Sequence, residues 1–242
     1  MNQASSAAPP ETSSKCIRAV LFDYGMVLSQ PPQDMDWRRL QLALDPKGES
    51  SAEEFSAAYW KYRDAYDRGI LKGPAYWEKV ASEFGRTLDP PTLQALIEAD
   101  LTAWSRPNTP MMDWAVRLQR AGIKTGILSN MGDAMEEGIR RRLPEIDNFS
   151  HHTFSHRLHL AKPDPAIYLH SIHGLGETPN HILFIDDRAE NIDAARQMGT
   201  SAIQYSGQTA FAHEMKHMGL GWLLTLCAPY DDMSSCHSRS ST

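Results

Sequence analysis

The sequence predicts an α/β protein whose core is a Rossmann-like, doubly wound parallel sheet and which carries a small four-helix cap domain. Five short apolar runs with many branched side chains are typical of buried strands, and they cover residues 16–22, 123–128, 152–155, 181–185 and 201–205. Helical patterns separate most of these runs, as in a parallel sheet that is covered on both faces. A long strand-free segment rich in aromatic residues follows the first run and predicts the cap.

The helices beside the sheet are indicated by periodicity and by glycine stop signals. Residues 112–120 form a helical pattern that ends at Gly122 and leads into the second strand. After the fourth strand, apolar residues recur at helical spacing until Gly199, a residue type that commonly ends helices. These apolar residues are Ala189, Ile192, Ala195 and Met198.

The cap is predicted over residues 31–105, where no strand pattern occurs and glycine and proline punctuate helical segments. The four predicted helices cover residues 34–44, 52–68, 74–84 and 91–104. The aromatic side chains of these helices are expected to pack against one another, since isolated helices cannot bury their apolar faces. Residues 15–30 and 106–228 then form the catalytic core, and composition indicates a disordered leader over 1–14 and a disordered tail over 229–242.

Composition and charge exclude some classes of partner. A net charge of -6 over 242 residues gives no basic field for nucleic acid or an anionic membrane surface, and no apolar run approaches membrane-spanning length. The three cysteines, Cys16, Cys227 and Cys236, are scattered, which indicates reduced thiols and a cytoplasmic location. We expect a monomer or a homodimer that binds a small molecule.

Polar residues follow the predicted strands at the edge of the sheet where ligands of doubly wound folds bind. They are Asp23 after the first strand, Ser129 and Asn130 after the second, Lys162 beyond the third, and Asp186 and Asp187 after the fourth. Several carboxylates side by side are costly unless a cation accompanies them. The pattern therefore favours a metal-assisted reaction at this edge.

These segments resemble the four signature motifs of the haloacid-dehalogenase-like superfamily of hydrolases, in the phosphatase-type form with a helical cap inserted after the first motif. The resemblance extends from Arg18 to about Trp222. It is carried by the apolar run into Phe22-Asp23, by Leu128-Ser129-Asn130, by Lys162-Pro163-Asp164-Pro165 and by Asp186-Asp187 with Asn191 following. It implies a Mg²⁺-dependent phosphatase that hydrolyses a small phosphorylated metabolite through an aspartyl-phosphate intermediate.

The resemblance also implies roles for individual residues. Asp23 would be the nucleophile, with Ser129 and Lys162 as the other catalytic residues. The phosphate would be bound by side chains or backbone of Tyr24, Gly25, Ser129, Asn130 and Lys162.

Magnesium would be held by Asp23, the Gly25 carbonyl and Asp187 directly, and by Asp186 through a water molecule. Asn191 would not bind the metal ion itself but would help to hold the metal-binding side chains in position.

One position departs from the family pattern. Related phosphatases usually carry a second Asp two residues after the nucleophile, which protonates the leaving oxygen, and here that position is Gly25. Such an acid is worth roughly 10²–10⁴-fold in rate. The leaving oxygen must therefore depart with its own charge, which favours acyl, anomeric or aryl phosphates, or take a proton from water or from a cap residue.

Two alternative functions stay open at this stage. A 2-haloacid dehalogenase also lacks the second Asp, but it uses no metal, and the pair Asp186 and Asp187 argues for phosphate. A non-catalytic phospho-ligand-binding protein is the other alternative, against which the retained Asp23, Ser129 and Lys162 argue.

Two further groups of residues are candidates for a role in binding. Arg63, Tyr66 and Arg68 are predicted cap contacts to substrate, although surface ion pairs would explain the arginines equally well. His151, His152, His156 and His159 lie around the third strand, where side chains alternate between faces, so we do not expect all four to bind one metal ion.

Overall fold

The protein is described here by a computed structural model covering residues 16–226. Within them, five parallel strands form one sheet in the order β3-β2-β1-β4-β5. They are β1 (Ala19–Phe22), β2 (Lys124–Ser129), β3 (His151–Phe154), β4 (Ile182–Asp186) and β5 (Ser201–Gln204). The α/β fold with a doubly wound parallel sheet is therefore confirmed.

Strand β1 lies in the middle of the sheet and is completely buried. Phe22, its last residue, is in register with Ile127 of β2 on one side and Ile185 of β4 on the other. Residues of β1 alternate between two hydrophobic clusters, one on each face, because successive side chains of a strand point in opposite directions. This burial on both faces explains the continuous apolar run in the sequence.

The cap segment forms five helices, which are α1 (Asp34–Leu44), α2 (Ala52–Lys61), α3 (Arg63–Asp67), α4 (Gly73–Ser82) and α5 (Pro90–Trp104). They enclose a hydrophobic cluster of their own, to which Tyr59, Tyr76 and Trp77 contribute fully buried rings. The aromatic residues thus pack mainly against one another, as expected. The domain boundaries at residues 31 and 105 stay a prediction.

The predicted helix over residues 52–68 is in fact two helices. The backbone of Tyr62, at φ -108° and ψ 1°, leaves the helical region and separates α2 from α3. The periodicity of the sequence does not reveal this break, because apolar side chains keep helical spacing through it.

Six further helices flank the sheet: α6 (Thr109–Arg120), α7 (Asp133–Arg142), α8 (Ser155–Leu158), α9 (Pro165–Leu175), α10 (Ala189–Gln197) and α11 (Gln208–His217). Helices α6, α7 and α11 contribute buried side chains to the cluster on one face, and α9 and α10 to that on the other. Short 3₁₀ turns cover Pro144–Asn148, Pro179–His181 and Gly221–Leu224.

The sequence predicts reduced cysteines and disordered termini, and the structure bears only on the first of these predictions. Cys16 is disulfide-bonded, so the expectation that all cysteines are reduced thiols is wrong for this residue. The predicted leader over 1–14 and tail over 229–242 lie outside the described residues. Between residues 16 and 226, no helix combines the length and apolar character that crossing a bilayer requires.

Candidate active site

The carboxyl ends of β1, β2 and β4 bring the predicted site residues together. Asp23 directly follows β1, and its backbone N–H donates to the Ile185 carbonyl of β4 at 2.8 Å. Ser129 ends β2, and Asp186 ends β4. The common direction of the strands therefore assembles residues that are more than 150 positions apart in the sequence.

Lys162 lies between two of the carboxylates. Its Nζ is 2.9 Å from Asp23 Oδ1 and 2.6 Å from Asp186 Oδ2, and its side chain is almost completely buried. Burial opposes the charge of this ammonium, but the neighbouring Asp186 and Asp23 outweigh it and raise the pKa of Lys162. Lys162 therefore stays protonated and presents a fixed positive charge beside Asp23.

The carboxylate of Asp186 is fully buried and is bonded through both oxygens. Oδ2 accepts from Lys162 Nζ, while Oδ1 accepts from the Arg188 backbone N–H at 2.8 Å and from Asn191 Nδ2 at 2.9 Å. Asp187 has different surroundings: it lines the cavity described below and is only partly buried. Asp187 is therefore the more accessible of the two neighbouring acids.

Asp23 sits where several effects on its charge compete. Burial raises the pKa of Asp23 to about 7, Lys162 opposes this rise, and the negative charges of Asp186 and Asp187 add to it. Burial, followed by the charge of Asp186, also raises the pKa of Asp187. One ammonium therefore does not compensate three neighbouring acids.

This imbalance fits a divalent cation. One carboxylate oxygen from each of Asp23, Asp186 and Asp187 lies within 4.8 Å of the others. Carboxylate oxygens are the ligands that magnesium and calcium prefer, whereas no thiolate or imidazole belongs to this group. The predicted acidic residues are thus close enough together to hold one metal ion.

The loop after Asp23 forms a tight turn, Tyr24–Leu28. The Tyr24 N–H donates to Asp23 Oδ1 at 2.6 Å, and Met26 adopts a positive φ of 63°. The Tyr24 ring is buried, and its hydroxyl has no hydrogen-bond partner among residues 16–226. These contacts fix the orientation of the Asp23 carboxylate, while the predicted substrate contact of Tyr24 stays a prediction.

Gly25 is not required by the backbone of this turn. Its φ of -64° and ψ of 134° are open to any residue. A Cβ at this position would lie 3.8 Å from Trp104 Cζ3, an ordinary contact distance. The missing acid at position 25 therefore does not result from strain or lack of space.

Asn130 holds the lysine loop in place. Its Nδ2 donates to the Lys162 carbonyl at 3.0 Å, and its Oδ1 accepts from the Lys162 N–H at 2.8 Å. Both ends of the side-chain amide are therefore used within the protein. This geometry favours a positioning role for Asn130 over the predicted direct contact with substrate.

A cavity of about 540 Å³ lies between the cap and the strand ends. The core side includes all the residues predicted to bind phosphate, and Asp187 and Asn191 line it as well. The cap side is formed by Trp60, Arg63, Asp64, Asp67, Arg68 and Trp104. The cap thus meets the site with two indole rings and four charged side chains.

The three cap residues predicted to contact substrate, Arg63, Tyr66 and Arg68, have different surroundings. Arg63 and Arg68 line the cavity and also form ion pairs, with Asp67 and Asp64 respectively, so their contact with substrate stays a prediction. Tyr66 is not part of the lining: its ring stacks on Tyr76 with centroids 4.7 Å apart, and its hydroxyl accepts from the Met135 N–H at 3.2 Å. Tyr66 therefore joins the cap to the core.

Sequence reasoning missed two acids of the cap, the largely buried Asp67 and the buried Asp100. Asp67 Oδ1 accepts from Arg63 Nε at 3.0 Å, and Asp100 Oδ1 accepts from the Tyr59 hydroxyl at 2.7 Å. The spacing of Arg63 and Asp67, four residues apart, was a usable signal. Asp100 lies far away in sequence, so no local pattern could have identified it.

The histidines near β3 do not form a common site. His152 Nε2 is 2.7 Å from the Ile146 carbonyl, and His156 Nε2 is 2.7 Å from Glu136 Oε2. His151 Nε2 contacts the Thr153 hydroxyl at 3.1 Å, while His159 Nδ1 contacts the Arg68 carbonyl at 2.9 Å. The four rings thus have four different partners, in agreement with the expectation.

Comparison with known proteins bears on this site. A family model described as haloacid dehalogenase-like hydrolase matches residues 32–199. Bifunctional epoxide hydrolase 2 of Sus scrofa is 34% identical over 207 residues, which are 77% of this chain and 36% of that protein. An N-acetylmuramic acid 6-phosphate phosphatase of Pseudomonas aeruginosa is 28% identical over 147 residues, which are 57% of this chain and 65% of that protein. The chain therefore spans less than two thirds of the length of these relatives.

Solved structures share the fold at low sequence identity. A HAD family enzyme from Bacteroides thetaiotaomicron, in complex with magnesium and inorganic phosphate, has a TM-score of 0.64 and 19% identity, covering 79% of this chain and 96% of that chain. The L-2-haloacid dehalogenase from Xanthobacter autotrophicus has a TM-score of 0.59 and 21% identity, covering 83% of this chain and 82% of that chain. The same fold thus occurs in a protein whose name describes the removal of a halogen from a 2-haloacid.

Proposed function

We propose, from the premise that this chain belongs to the haloacid dehalogenase-like hydrolase family, that it is a magnesium-dependent phosphatase. In this proposal it hydrolyses a small phosphomonoester, and Asp23 is phosphorylated transiently. The observation that carries the proposal is the cluster of Asp23, Asp186 and Asp187 with Lys162 between two of them. The phosphatase among the relatives and the phosphate complex among the structural neighbours are consistent with it.

In the first step, the Asp23 carboxylate attacks phosphorus and the bond to the leaving oxygen breaks. A carboxylate about 4 Å from a phosphate dianion meets a repulsion of roughly 8 kcal/mol at an effective dielectric constant near 20. The Lys162 ammonium lies beside Asp23 and lines the cavity, so its positive charge reduces this repulsion. Ser129 lines the same cavity and offers a hydroxyl donor. These donors are fixed before substrate arrives, so little reorganisation is needed.

Asp23, the Gly25 carbonyl and Asp187 would hold the magnesium ion, and Asp186 would act mainly through Lys162 and Asn191. This division follows from the hydrogen bonds that already occupy both oxygens of Asp186. When bound, magnesium supplies positive charge that lowers the pKa of Asp23 and attracts the phosphate. Asn191 keeps Asp186 in place through its amide.

The test measures phosphate release from 4-nitrophenyl phosphate with magnesium. We expect turnover by the wild type, no turnover by Asp23→Asn, and unchanged turnover by Asp193→Asn, whose side chain is 69% exposed on α10. Excess chelator should abolish activity. Full activity of the wild type in chelator, or of purified Asp23→Asn, would contradict the proposal.

A dehalogenase is the second candidate, favoured by Gly25 and by the dehalogenase among the structural neighbours. It would use Asp23 as nucleophile without requiring the acidic pair. Chloride release from a 2-chloro acid in chelator, with no phosphate release from any ester, would support this alternative.

A further inference from the structure

The proposed reaction leaves one proton without a source. Cleavage of an alkyl ester bond needs an acid for the departing oxygen, and Gly25 offers none. An acid in another part of the cavity wall would supply this proton. On the cap side, the wall contains two carboxyl groups, Asp64 and Asp67.

These two acids differ in their surroundings. The Asp64 side chain is 76% exposed and pairs with Arg68 Nε at 3.0 Å. The Asp67 side chain is only 15% exposed. One of its oxygens accepts from Arg63 Nε at 3.0 Å, and within residues 16–226 the other makes no hydrogen bond. Asp67 therefore presents a largely buried carboxyl group with one unused oxygen at the wall of the cavity.

Hydrogen bonds tie Asp67 to the phosphate-binding side of the site. The Ser155 hydroxyl donates to the Asp67 carbonyl, and the same hydroxyl accepts from the Met131 N–H at 2.9 Å. Met131 belongs to the loop that follows Ser129 and Asn130. The backbone of Asp67 thus has a fixed position relative to the core, which a proton donor requires.

A second chain of contacts leads from Asp67 to position 25. The Arg63 guanidinium, which binds Asp67, lies 5.8 Å from the centre of the Trp104 ring. The same ring would touch a Cβ at position 25 at 3.8 Å. Asp67 and Gly25 therefore line one cavity, with Arg63 and Trp104 between them.

We propose that Asp67 is the general acid and base of this site and supplies from the cap the function that Gly25 lacks. The inference rests on the proposed phosphatase function. As the bond between Asp23 and phosphorus forms and the ester bond breaks, Asp67 gives its proton to the leaving oxygen, releasing an alcohol. The Asp67 carboxylate then takes a proton from the attacking water, which restores Asp67 and releases Asp23 and phosphate.

The charge environment of Asp67 suits this cycle. Burial raises the pKa of Asp67 to about 6, against the opposing effect of Arg63, so both protonation states are accessible near neutrality. The charged and titratable groups around it are Arg63 and Asp64 on α3, Arg68 directly after α3, Tyr59 on α2, Tyr76 on α4, Asp100 on α5, and His156 and His159 at α8.

The experiment compares an alkyl ester, ethyl phosphate, with 4-nitrophenyl phosphate, whose leaving group needs no proton. For Asp67→Asn we expect kcat/KM to fall roughly 10²–10⁴-fold for the alkyl ester and less than about 10-fold for the aryl ester. In the wild type, the alkyl-to-aryl ratio should decrease as pH rises above about 6. This dependence should vanish in Asp67→Asn.

Asp100→Asn is the matched control. Asp100 also pairs with Arg63, at 3.5 Å, but it does not line the cavity. Its loss should change both esters by the same factor, and thermal melting of each variant shows whether it is folded. Equal losses on both esters in folded Asp67→Asn would overturn the inference and reduce Asp67 to an ion-pair partner of Arg63.

Restoring the acid at position 25 gives a second, independent readout. The double variant Gly25→Asp, Asp67→Asn should recover alkyl turnover, because φ and space at Gly25 permit the side chain. Failure of this rescue in a folded protein would contradict the inference. If the wild type cleaves no phosphate ester, the proposed function fails and this inference with it. If only the selectivity is absent, the inference fails alone.

Discussion

Asp186 and Asp187 are neighbours in sequence but have different surroundings in the site. Asp186 is fully buried and bonded through both oxygens, while Asp187 borders the cavity. Asp187→Ala should therefore raise the magnesium concentration needed for half-maximal activity by at least about 10-fold, since ligand loss mainly weakens binding. Activity measured across a magnesium titration gives this value.

Asp186→Ala should behave differently. It leaves Lys162 with one carboxylate partner and removes the acceptor of Asn191, so we expect lower thermal stability and lower kcat. The magnesium requirement should change less than in Asp187→Ala. A larger increase in magnesium requirement for Asp186→Ala would show that the two roles are reversed.

For single residues, the sequence predicts membership of the site when the residue directly follows or ends a strand, because the strand then fixes where the residue lies. Asp23, Ser129 and Asp186 were found in this way, because parallel strands that end at one edge bring their following residues together. The spacing of Arg63 and Asp67 indicates an ion pair but not its burial, and no local pattern indicates Asp100. The burial of both acids arises from packing between helices that are distant in sequence.

Helix α3 and the turn after it are among the elements that join cap and core. Gly69 has a φ of 71°, and a Cβ there would lie 2.4 Å from the His156 carbonyl oxygen. Gly69→Ala should therefore lower the free energy of unfolding by about 3 kcal/mol, through both left-handed strain and the clash with α8. Chemical denaturation measures this loss.

Gly85→Ala provides the control for backbone strain alone. Gly85 has a similar φ of 62°, but a Cβ there would meet no atom within 4 Å. We expect a loss of about 1 kcal/mol. Equal losses in the two variants would mean that the contact between Gly69 and α8 contributes nothing to the attachment of the cap.

The elements themselves were predictable wherever one periodicity continued to a clear stop. The first cap helix begins at Asp34 and ends at Leu44, as predicted, and the strand limits differ by at most three residues. The break at Tyr62 was not predictable, because it interrupts the backbone and leaves the apolar spacing intact. The short helix α3, which carries Arg63 and Asp67, begins directly after this break.

In the molecule as a whole, buried acids affect stability in two opposite ways. Glu136 accepts from His156, Arg140 and Arg157, and although burial opposes its charge, these donors lower the pKa of Glu136 to about 2. Its contribution to stability is complete above its ordinary pKa of 4.5 and is lost as pH falls towards 2. Asp23 and Asp67, whose pKa values are raised, have the opposite effect.

Between pH 5 and pH 8, the acids with raised pKa values should lower the stability of the metal-free protein as pH rises. They should outweigh His151 and His152, whose pKa values are lowered by burial and which have the opposite effect. Burial is the main cause of the raised pKa values of Asp23, from 3.8 to about 7, and of Asp67, from 3.8 to about 6. The folded protein thus holds protons that the unfolded chain has lost, and stability decreases as pH rises through this window. We expect Tm in chelator to fall by about 5 °C from pH 5 to pH 8.

Asp23→Asn should reduce this fall in Tm, whereas Asp193→Asn should not. Magnesium should offset the fall, because the cation binds the ionised carboxylates of the folded state. An equal fall in the wild type and in Asp23→Asn would show that Asp23 is ionised in the metal-free fold at little cost, and would remove the electrostatic reason for a cation at the ends of β1 and β4.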